Sequence, residues 1–347
     1  MTEKKDLYIY GIISNNYAPD LFVELEEIDV YSIPYQDVSA IVTDRKAVKL
    51  DQLDKMSLGR LLVNHQKVVE SIMDIGFSEI VPVRIGTFAS SRDEVRNILQ
   101  KGYGLINHVL GQIKNLIEID IVSTWANFPK VLKDIAKDPV ISELKKNLQK
   151  KGKKVTQSDH LKLGVQVKEI LEVKNRDWAE RVKNAMESVS RDAKHHEVIN
   201  DEMVTSSAFL IDKGEQVSFD NALEALDTEL NEQLNFKYVG PLPCYSFFTL
   251  EIKELNFEQV EKAKNILGLD EQASKKEIKQ AYLGLAKVHH PDKNTGIASS
   301  DDFHRIKNAY EILLDYSSAV RQTSSEDQLH FEKEKVRENS LLVKILD

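Results

Sequence analysis

The segment SKKEIKQAYLGLAKVHHPDKNTG, residues 274–296, decides the fold of the carboxyl-terminal third of the chain. Ser274 is followed three positions later by Glu277, which is the capping-box pattern of a helix start. Pro291 cannot continue that helix and disfavours a helical conformation of His290, so we expect a sharp turn there. Apolar residues at helical spacing predict one buried helix face, and they are Ile278, Ala281, Tyr282, Leu285 and Ala286.

A second amphipathic helix is predicted after this turn. Residues 294–300 are rich in Asn, Gly and Ser and predict a polar loop. Asp301 and Asp302 suit the amino-terminal end of a helix dipole, so we expect the second helix to begin with them. Two such helices joined by about a dozen residues pack antiparallel, which would leave the tripeptide His290–Asp292 on an exposed tip. The apolar face of the second helix consists of Phe303, Ile306, Tyr310, Leu313 and Leu314.

This hairpin resembles the J-domain of the DnaJ family of co-chaperones. The family uses the tip of the hairpin to engage the ATPase domain of a DnaK-type chaperone and to trigger ATP hydrolysis there. The resemblance implies that His290 and Asp292 are the trigger residues and that Pro291 fixes their geometry. It also implies a J-domain over residues 259–320. The matching residues lie at 265–269, 273–274, 277–282, 290–294 and 303–313.

The first helix of such a hairpin usually carries a dense basic face that meets the chaperone. Lys279 and Lys287 keep that character and are predicted to bind the chaperone, together with the lysines at 275 and 276. Basic residues are common in the family at four positions that here hold Gln280, Leu283, Gly284 and Val288. Glycine also weakens a helix by about 1 kcal/mol relative to alanine. We therefore expect weak docking, aided when a bound client raises the local chaperone concentration. The chain has neither the glycine- and phenylalanine-rich linker nor the cysteine-rich zinc module of longer relatives.

The composition of the whole chain limits its function. A length of 347 residues predicts two or three domains. The net charge of −9 argues against a dedicated nucleic-acid binder. Cys244 is the only cysteine, so no intrachain disulfide or thiolate metal cluster is possible. The charged amino terminus and the lack of a run of about 20 apolar residues predict a cytoplasmic protein without a membrane span.

The amino-terminal part, residues 1–128, is predicted to be an α+β domain in which strands alternate with amphipathic helices. Pro82 places its strand at a sheet edge or bulge. The residues between the first two strands are expected to form loops because they include several Asn and Pro. The predicted strands cover residues 7–14, 38–43, 80–87 and 118–126, and the predicted helices cover residues 53–75 and a segment from Asp93 onward.

Residues 129–252 are predicted to hold a helical segment followed by a small ferredoxin-like α+β domain. The basic run KKNLQKKGKK at residues 145–154 is interpreted as a solvated helix end and turn, and a patch for an acidic partner is the alternative. A strand, a helix and a strand then follow in the order of a ferredoxin-like sheet. The predicted elements are a long helix at 161–198, a strand at 203–211, a helix at 219–234, a stiff turn at 240–243 and a strand at 245–252.

Two specific motifs lie near opposite ends of the α+β part of the chain, PVRIGT at residues 82–87 and GPLPCYSF at residues 240–247. Further characteristic strings are LYIYG at 7–11, VSAIV at 38–42, and His65 with VVE at 68–70. By these motifs, roughly the first 250 residues resemble the gas vesicle protein F/L family. The resemblance implies a two-domain α+β protein that is needed to assemble gas vesicles, binds the small hydrophobic shell subunit and has no established catalytic chemistry.

Several residues in this region could carry chemistry. Adjacent His195 and His196 on a helix would point about 100 degrees apart, so we predict no metal site there, and we expect no cofactor. Arg84 lies on an otherwise apolar strand. It either forms an ion pair that anchors this strand to the helix carrying His65 and Glu70, or contacts the shell subunit.

The predicted tail, residues 321–347, is charged and ends in the apolar run LLVKIL at 341–346. This run either folds back onto the rest of the protein or offers a sticky surface to a hydrophobic client, and we favour the first interpretation.

The sequence therefore predicts two α+β subdomains, the second ferredoxin-like, joined by a helical segment and followed by an all-α J-domain hairpin. We expect a non-enzymatic assembly factor that binds the gas vesicle shell subunit and other gas vesicle proteins, and that recruits and stimulates a DnaK-type chaperone. It would act in the cytoplasm at gas vesicles, without nucleic acid. The alternatives are a general J-domain co-chaperone with a different client and an enzyme with an appended J-domain.

Overall fold

A computed structural model describes residues 6–14, 22–25, 28–77, 79–289, 297–324 and 327–346. The chain divides into two compact units. The first unit joins residues 1–112 with residues 248–347, and the second unit comprises residues 113–247. Both mix helices with antiparallel sheets, as predicted. In the described part of the chain, no helix is both long and apolar enough to cross a bilayer.

The amino-terminal part of the first unit is an antiparallel sheet covered by two helices. The strand order is β2-β3-β4-β1-β5, and β6 pairs with β1. The helices are α1 (Lys55–Asp74) and α2 (Arg92–Gln112). The strands are β1 (Asp6–Ser14), β2 (Phe22–Leu25), β3 (Ile28–Tyr35), β4 (Val38–Arg45), β5 (Ile80–Pro82) and β6 (Phe88–Ala89).

The local sequence explains most of these elements. The residues of β1 between Leu7 and Ile13 are all buried, which fits its position between β4 and β5. Asp54 caps α1 by accepting hydrogen bonds from the backbone N–H groups of Met56 and Ser57, both at 2.9 Å. The prediction of loops between β1 and β4 is wrong, because β2 and β3 form a hairpin there. Pro34 is accommodated opposite Ser39, next to a tight turn in which Gln36 has a positive φ of 52°.

The second unit is a four-stranded antiparallel sheet with strand order β10-β7-β9-β8. This order and the β-α-β-β-α-β sequence of elements are those of a ferredoxin-like fold, as predicted. Helices α3 to α5 form the first crossover. The elements are β7 (Leu116–Trp125), α3 (Phe128–Ile135), α4 (Pro139–Lys151), α5 (Gln157–Glu187), β8 (Asp192–His195), β9 (Met203–Asp212), α6 (Gln216–Glu229), β10 (Leu234–Leu242) and α7 (Tyr245–Phe248).

Four details of the second unit differ from the prediction. Strand β7, which we expected in the first domain, pairs with β9 and β10, so the helical segment lies inside this unit and does not link two subdomains. The long helix ends at Glu187, not residue 198, because the chain turns into edge strand β8. Helix α6 ends at Glu229, and residues 234–242 form strand β10 where a helix end and a turn were expected. The predicted strand at 245–252 is a short helix followed by a separate strand.

The rest of the first unit is mainly helical. Two strand pairs, β11 with β14 and β12 with β13, accompany its helices. Helix α10 begins at Ile297, so the expectation that Asp301 opens it is wrong. The elements are β11 (Leu250–Glu254), α8 (Phe257–Leu267), β12 (Gln272–Ser274), α9 (Lys275–Val288), α10 (Ile297–Thr323), β13 (Gln328–His330), α11 (Lys333–Glu338) and β14 (Leu341–Ile345).

Candidate chaperone-binding surface

The start of α9 is fixed by the predicted capping box. The Glu277 carboxylate accepts hydrogen bonds from the backbone N–H and the hydroxyl of Ser274, both at 2.7 Å. In return, the backbone N–H of Glu277 donates to the Ser274 hydroxyl at 3.3 Å. These hydrogen bonds from Ser274 lower the pKa of Glu277. The helix that carries the candidate surface therefore begins at a defined residue.

The inner face of α9 packs on α10. Ile278 is completely buried. The ring of Tyr282 stacks on that of Tyr310 with 4.2 Å between centroids and an interplanar angle of 10°. Leu285 adds to the same apolar cluster. Because these contacts fix the rotation of α9 about its axis, they also decide which side chains face the solvent.

The outer face of α9 is exposed and combines positive charge with apolar side chains. Lys279 and Lys287 lie on it, while Leu283 and Val288 are 44% and 62% exposed. We define the outer face of α9 as Lys275, Lys276, Lys279, Leu283, Lys287 and Val288. Chaperone binding by its lysines stays a prediction.

His290, Pro291 and Asp292 lie outside the described residues, so the predicted trigger geometry is untested. The nearest described contact is at the end of α9. There, Nδ1 of His289 lies 4.0 Å from a carboxylate oxygen of Asp302 on α10.

The carboxyl-terminal strand attaches this helical region to the amino-terminal sheet and helices. All five residues of β14 pair antiparallel with β11. Leu342 is fully buried in the helical core formed by α8, α9 and α10. Val343 is also buried and lies directly against Gly102 of α2. The interpretation of the apolar tail as a segment that packs onto the protein is confirmed.

Charged side chains complete this attachment. Glu251 on β11 is 5% exposed and forms an ion pair with Arg84. Its other carboxylate oxygen lies 3.6 Å from Nζ of Lys253 and 3.8 Å from Nζ of Lys344. Asp315 on α10 binds the same two lysines at 2.8 and 3.0 Å. We call β11, β14 and the side chains of Arg84 and Asp315 the seam.

The seam revises the expectation for Arg84. The arginine does form an ion pair, but with Glu251 and not with α1. Its backbone N–H also donates to the carbonyl of Leu250 at 2.8 Å. His65 instead lies in the core, where its Nδ1 is 2.8 Å from the Tyr8 hydroxyl, and burial lowers its pKa to about 4. Sequence reasoning missed Glu251 and Asp315, because the contacts that join them form only when distant segments of the chain come together.

The second unit holds a different buried carboxylate. Glu118 on β7 is 1% exposed and accepts hydrogen bonds from the backbone N–H and hydroxyl of Ser246 at 2.7 and 2.8 Å. Burial and the neighbouring Asp120 raise the pKa of Glu118. Burial likewise raises the pKa of the Cys244 thiol to about 12, so this thiol is not an activated nucleophile.

The adjacent histidines lie at the end of β8 and not on a helix. The two ring nitrogens of His195 lie 2.8 Å from the Ser207 hydroxyl and 2.8 Å from the Glu187 carboxylate. The described residues contain no group of three or more His, Cys, Asp or Glu side chains suited to a metal ion. His195 thus ties the edge strand to the end of α5.

The family model described as gas vesicle synthesis protein GvpL/GvpF matches residues 6–249. The chain belongs to the GvpL/GvpF family. It is 20% identical over 245 residues to gas vesicle protein F of Microcystis aeruginosa, which covers 70% of this chain and 98% of the relative. The solved structure of GvpF from Anabaena sp. has a similar fold, with a TM-score of 0.58 and 19% identity over 71% of this chain and 98% of that one.

A second family model, the DnaJ domain, matches residues 256–321. DnaJ homolog 1 of Saccharomyces cerevisiae mitochondria is 42% identical over 81 residues, which is 23% of this chain. The match spans only 16% of that relative's length. The chain thus combines a gas vesicle family region with a J-domain, the module that links co-chaperones to DnaK-type chaperones.

Proposed function

We propose that this protein is a gas vesicle assembly factor with two binding activities. The GvpL/GvpF region binds the hydrophobic shell subunit and other gas vesicle proteins. The J-domain recruits a DnaK-type chaperone to the same place and stimulates its ATP hydrolysis. The protein itself catalyses no reaction, and it acts in the cytoplasm at growing gas vesicles.

The seam is the structural feature that best supports this proposal. It joins the J-domain to the amino-terminal sheet and helices within one compact unit, while the outer face of α9 stays exposed. Apolar subunits aggregate unless they are held. A chaperone recruited by the same chain meets the client at a raised effective concentration. This local concentration offsets the weak docking expected from an outer face on which Leu283 and Val288 replace basic residues.

The chaperone activity is tested by ATP turnover of a DnaK-type chaperone in the presence of the full-length protein. We expect His290→Gln to abolish the stimulation and His304→Gln, an exposed histidine on α10, to leave it unchanged. Lys279→Glu with Lys287→Glu should reduce stimulation, whereas Lys307→Glu on α10 should not. Equal stimulation by the wild type and His290→Gln would rule out the trigger role.

Client binding is tested by co-purification of the full-length protein with the shell subunit. The full chain is required because a fragment ending at residue 252 would lack β14, the pairing partner of β11. We expect capture by the wild type and by His290→Gln alike, which separates holding the client from triggering the chaperone. A wild type that stimulates the chaperone but captures no shell subunit would indicate a general co-chaperone with a different client.

Arg84 is proposed to contribute to client binding as well as to the seam. Its side chain remains 57% exposed although it is paired with Glu251. We expect Arg84→Lys to keep the ion pair and to weaken shell-subunit capture, because lysine lacks the planar, bidentate donor geometry of arginine. If Arg84→Lys captures as much shell subunit as the wild type, Arg84 contributes only to the ion pair of the seam and not to client binding.

A further inference from the structure

The second unit concentrates positive charge in a chain that is negative overall. Residues 144–158 contain six lysines and no aspartate or glutamate, whereas the net charge of the chain is −9. The structure places this segment from the second half of α4, through the turn at Gly152 with its positive φ of 53°, to the start of α5. The interpretation of this run as a helix end and turn therefore agrees with the structure, but it does not account for the accumulation of charge.

A cavity of about 470 Å³ lies between α4 and α5 in this region. Three leucines line it, Leu144 and Leu148 from α4 and Leu163 from α5. Its polar lining residues are Asn147, Lys150, Lys151, Asp159 and Lys162. We call this cavity the α4–α5 groove. Its lining therefore combines apolar leucine side chains with polar side chains that are mostly basic.

The ion pairs of the groove leave positive charge available for a ligand. Nζ of Lys151 lies 2.7 Å from the Asp159 carboxylate, which also accepts a hydrogen bond from the backbone N–H of Thr156 at 3.0 Å. These contacts use the acidic side chain that lines the groove. In the described part of the chain, neither Lys150 nor Lys162 has a carboxylate within ion-pair distance.

We propose that the α4–α5 groove binds an acidic amphipathic helix of a partner protein. Leucine-like side chains of that helix would contact the three leucines, and its carboxylates would pair with Lys150 and Lys162. Nucleic acid fits less well, because its phosphates would use the lysines but leave the leucines without an apolar partner. This inference goes beyond the proposed function, because it needs neither the J-domain nor the exposed side chain of Arg84.

The chemistry sets the expected strength of the interaction. A groove of this volume holds a few side chains, so the interface belongs to the small and transient class. Partly exposed ion pairs contribute modestly and are screened by salt, so binding should weaken as ionic strength rises. Complementary charge should mainly determine partner choice and association rate.

The test uses the full-length protein and a fluorescent synthetic peptide of about 18 residues, with leucines at helical spacing and glutamates elsewhere. We expect fluorescence anisotropy to show binding of this peptide. A peptide with serine at the leucine positions and one with lysine at the glutamate positions should bind much more weakly. Equal binding of the serine peptide, or no binding of the acidic peptide at millimolar concentration, would refute the proposal.

Charge-reversed variants locate the site. Lys150→Glu with Lys162→Glu should raise the Kd about tenfold, as expected for the loss and reversal of two partly exposed ion pairs. The matched control is Lys213→Glu with Lys237→Glu, two exposed lysines of the second unit that change the net charge equally. Equal weakening in both pairs would show a general charge effect and overturn the assignment to the groove. So would efficient competition by duplex DNA.

Discussion

Glu251 and Glu118 are both almost fully buried, at 5% and 1% exposure, but the protein balances the two carboxylates differently. Glu251 lies in the first unit among Arg84, Lys253 and Lys344. Glu118 lies in the second unit, where it accepts two hydrogen bonds from Ser246 and has the acidic neighbour Asp120.

The difference shows how each carboxylate contributes to stability. A buried charge needs opposite charges or hydrogen bonds to offset its loss of hydration. For Glu251, neighbouring cations offset the loss of hydration. The resulting ion pairs also connect β11 to the amino-terminal sheet and to β14. Around Glu118, burial and a like charge favour the protonated form, so binding a proton is the main compensation. The same substitution at the two positions should therefore have opposite effects.

The largest effect is expected from the apolar side of the seam. Leu342→Asp would put a carboxylate into a fully buried site of the apolar core, at a cost of about 4 kcal/mol. Leu346→Asp is the matched control, because Leu346 is 36% exposed on the same terminal segment. Hydrogen exchange of the amides in β11 should accelerate strongly in the first variant and little in the second. Similar exchange in both variants would mean that β14 does not secure the seam.

The next largest effect is expected for Glu251→Gln. This change keeps the shape of the side chain but leaves three cations without their shared carboxylate, which should destabilise the first unit by about 2 kcal/mol. High salt should reduce the loss, because it screens the repulsion between the cations. Glu254→Gln, an exposed position on the same strand, should have almost no effect on chemical denaturation. An equal loss in both variants would contradict the role of Glu251.

Glu118→Gln should have the opposite sign and depend on pH. The pKa of Glu118 in the folded protein is raised above its ordinary value of 4.5, so above that pH the folded state retains a proton that the unfolded state has released. The free energy of unfolding therefore falls as the pH rises from 4.5 toward the raised pKa of Glu118 in the folded protein.

Glutamine removes this titration and keeps an oxygen that accepts hydrogen bonds from Ser246. We expect a gain on the order of 1 kcal/mol near pH 8 and almost none near pH 5. Thermal unfolding across this range measures the gain, and a gain that does not change with pH would count against the raised pKa. Asp120, whose pKa is also raised by burial, should titrate together with Glu118.

The elements predicted correctly are those with strong local signals. Ser274 and Glu277 identified the start of α9 because a capping box is contained within four residues. Strand β10 was missed although its exposed and less exposed residues alternate, because Leu234 was assigned to the preceding helix and because the end of the strand contains Gly240 and Pro241, which normally indicate a turn. Strand β3 was missed for a related reason, since Pro34 suggested a loop.

Long-range pairing was the other limit of sequence reasoning. Strands β11 and β14 are separated by the whole J-domain, and neither sequence specifies its partner. Glu251 and Asp315 therefore gave no sign that they share Lys253 and Lys344. The outer face of α9 was predictable, because helical periodicity places Lys279 and Lys287 outside the apolar face that carries Ile278 and Tyr282.

The smallest expected effect distinguishes close contact at the seam from helix propensity alone. Gly102 and Gly104 both lie within α2, and alanine at either position should favour the helix by about 1 kcal/mol. A methyl group at Gly104 meets open space, so Gly104→Ala should stabilise the protein by that amount. At Gly102 a Cβ atom would lie 2.9 Å from Cγ1 of Val343 and 3.1 Å from Cδ1 of Ile106.

Because Val343 is held by its pairing with Ile252 on β11, the strand cannot move away without loosening the seam. Such overpacking costs about 1–3 kcal/mol, so Gly102→Ala should be net destabilising by about 1 kcal/mol. The two alanine variants should then differ by about 2 kcal/mol in chemical denaturation. If both variants gain stability equally, β14 can shift to accommodate the added methyl group at little cost in free energy. Close packing of α2 against β14 would then not be required at the seam. If only Gly102→Ala loses stability, and its β11 amides exchange faster, then contact between α2 and β14 helps to hold the J-domain in place.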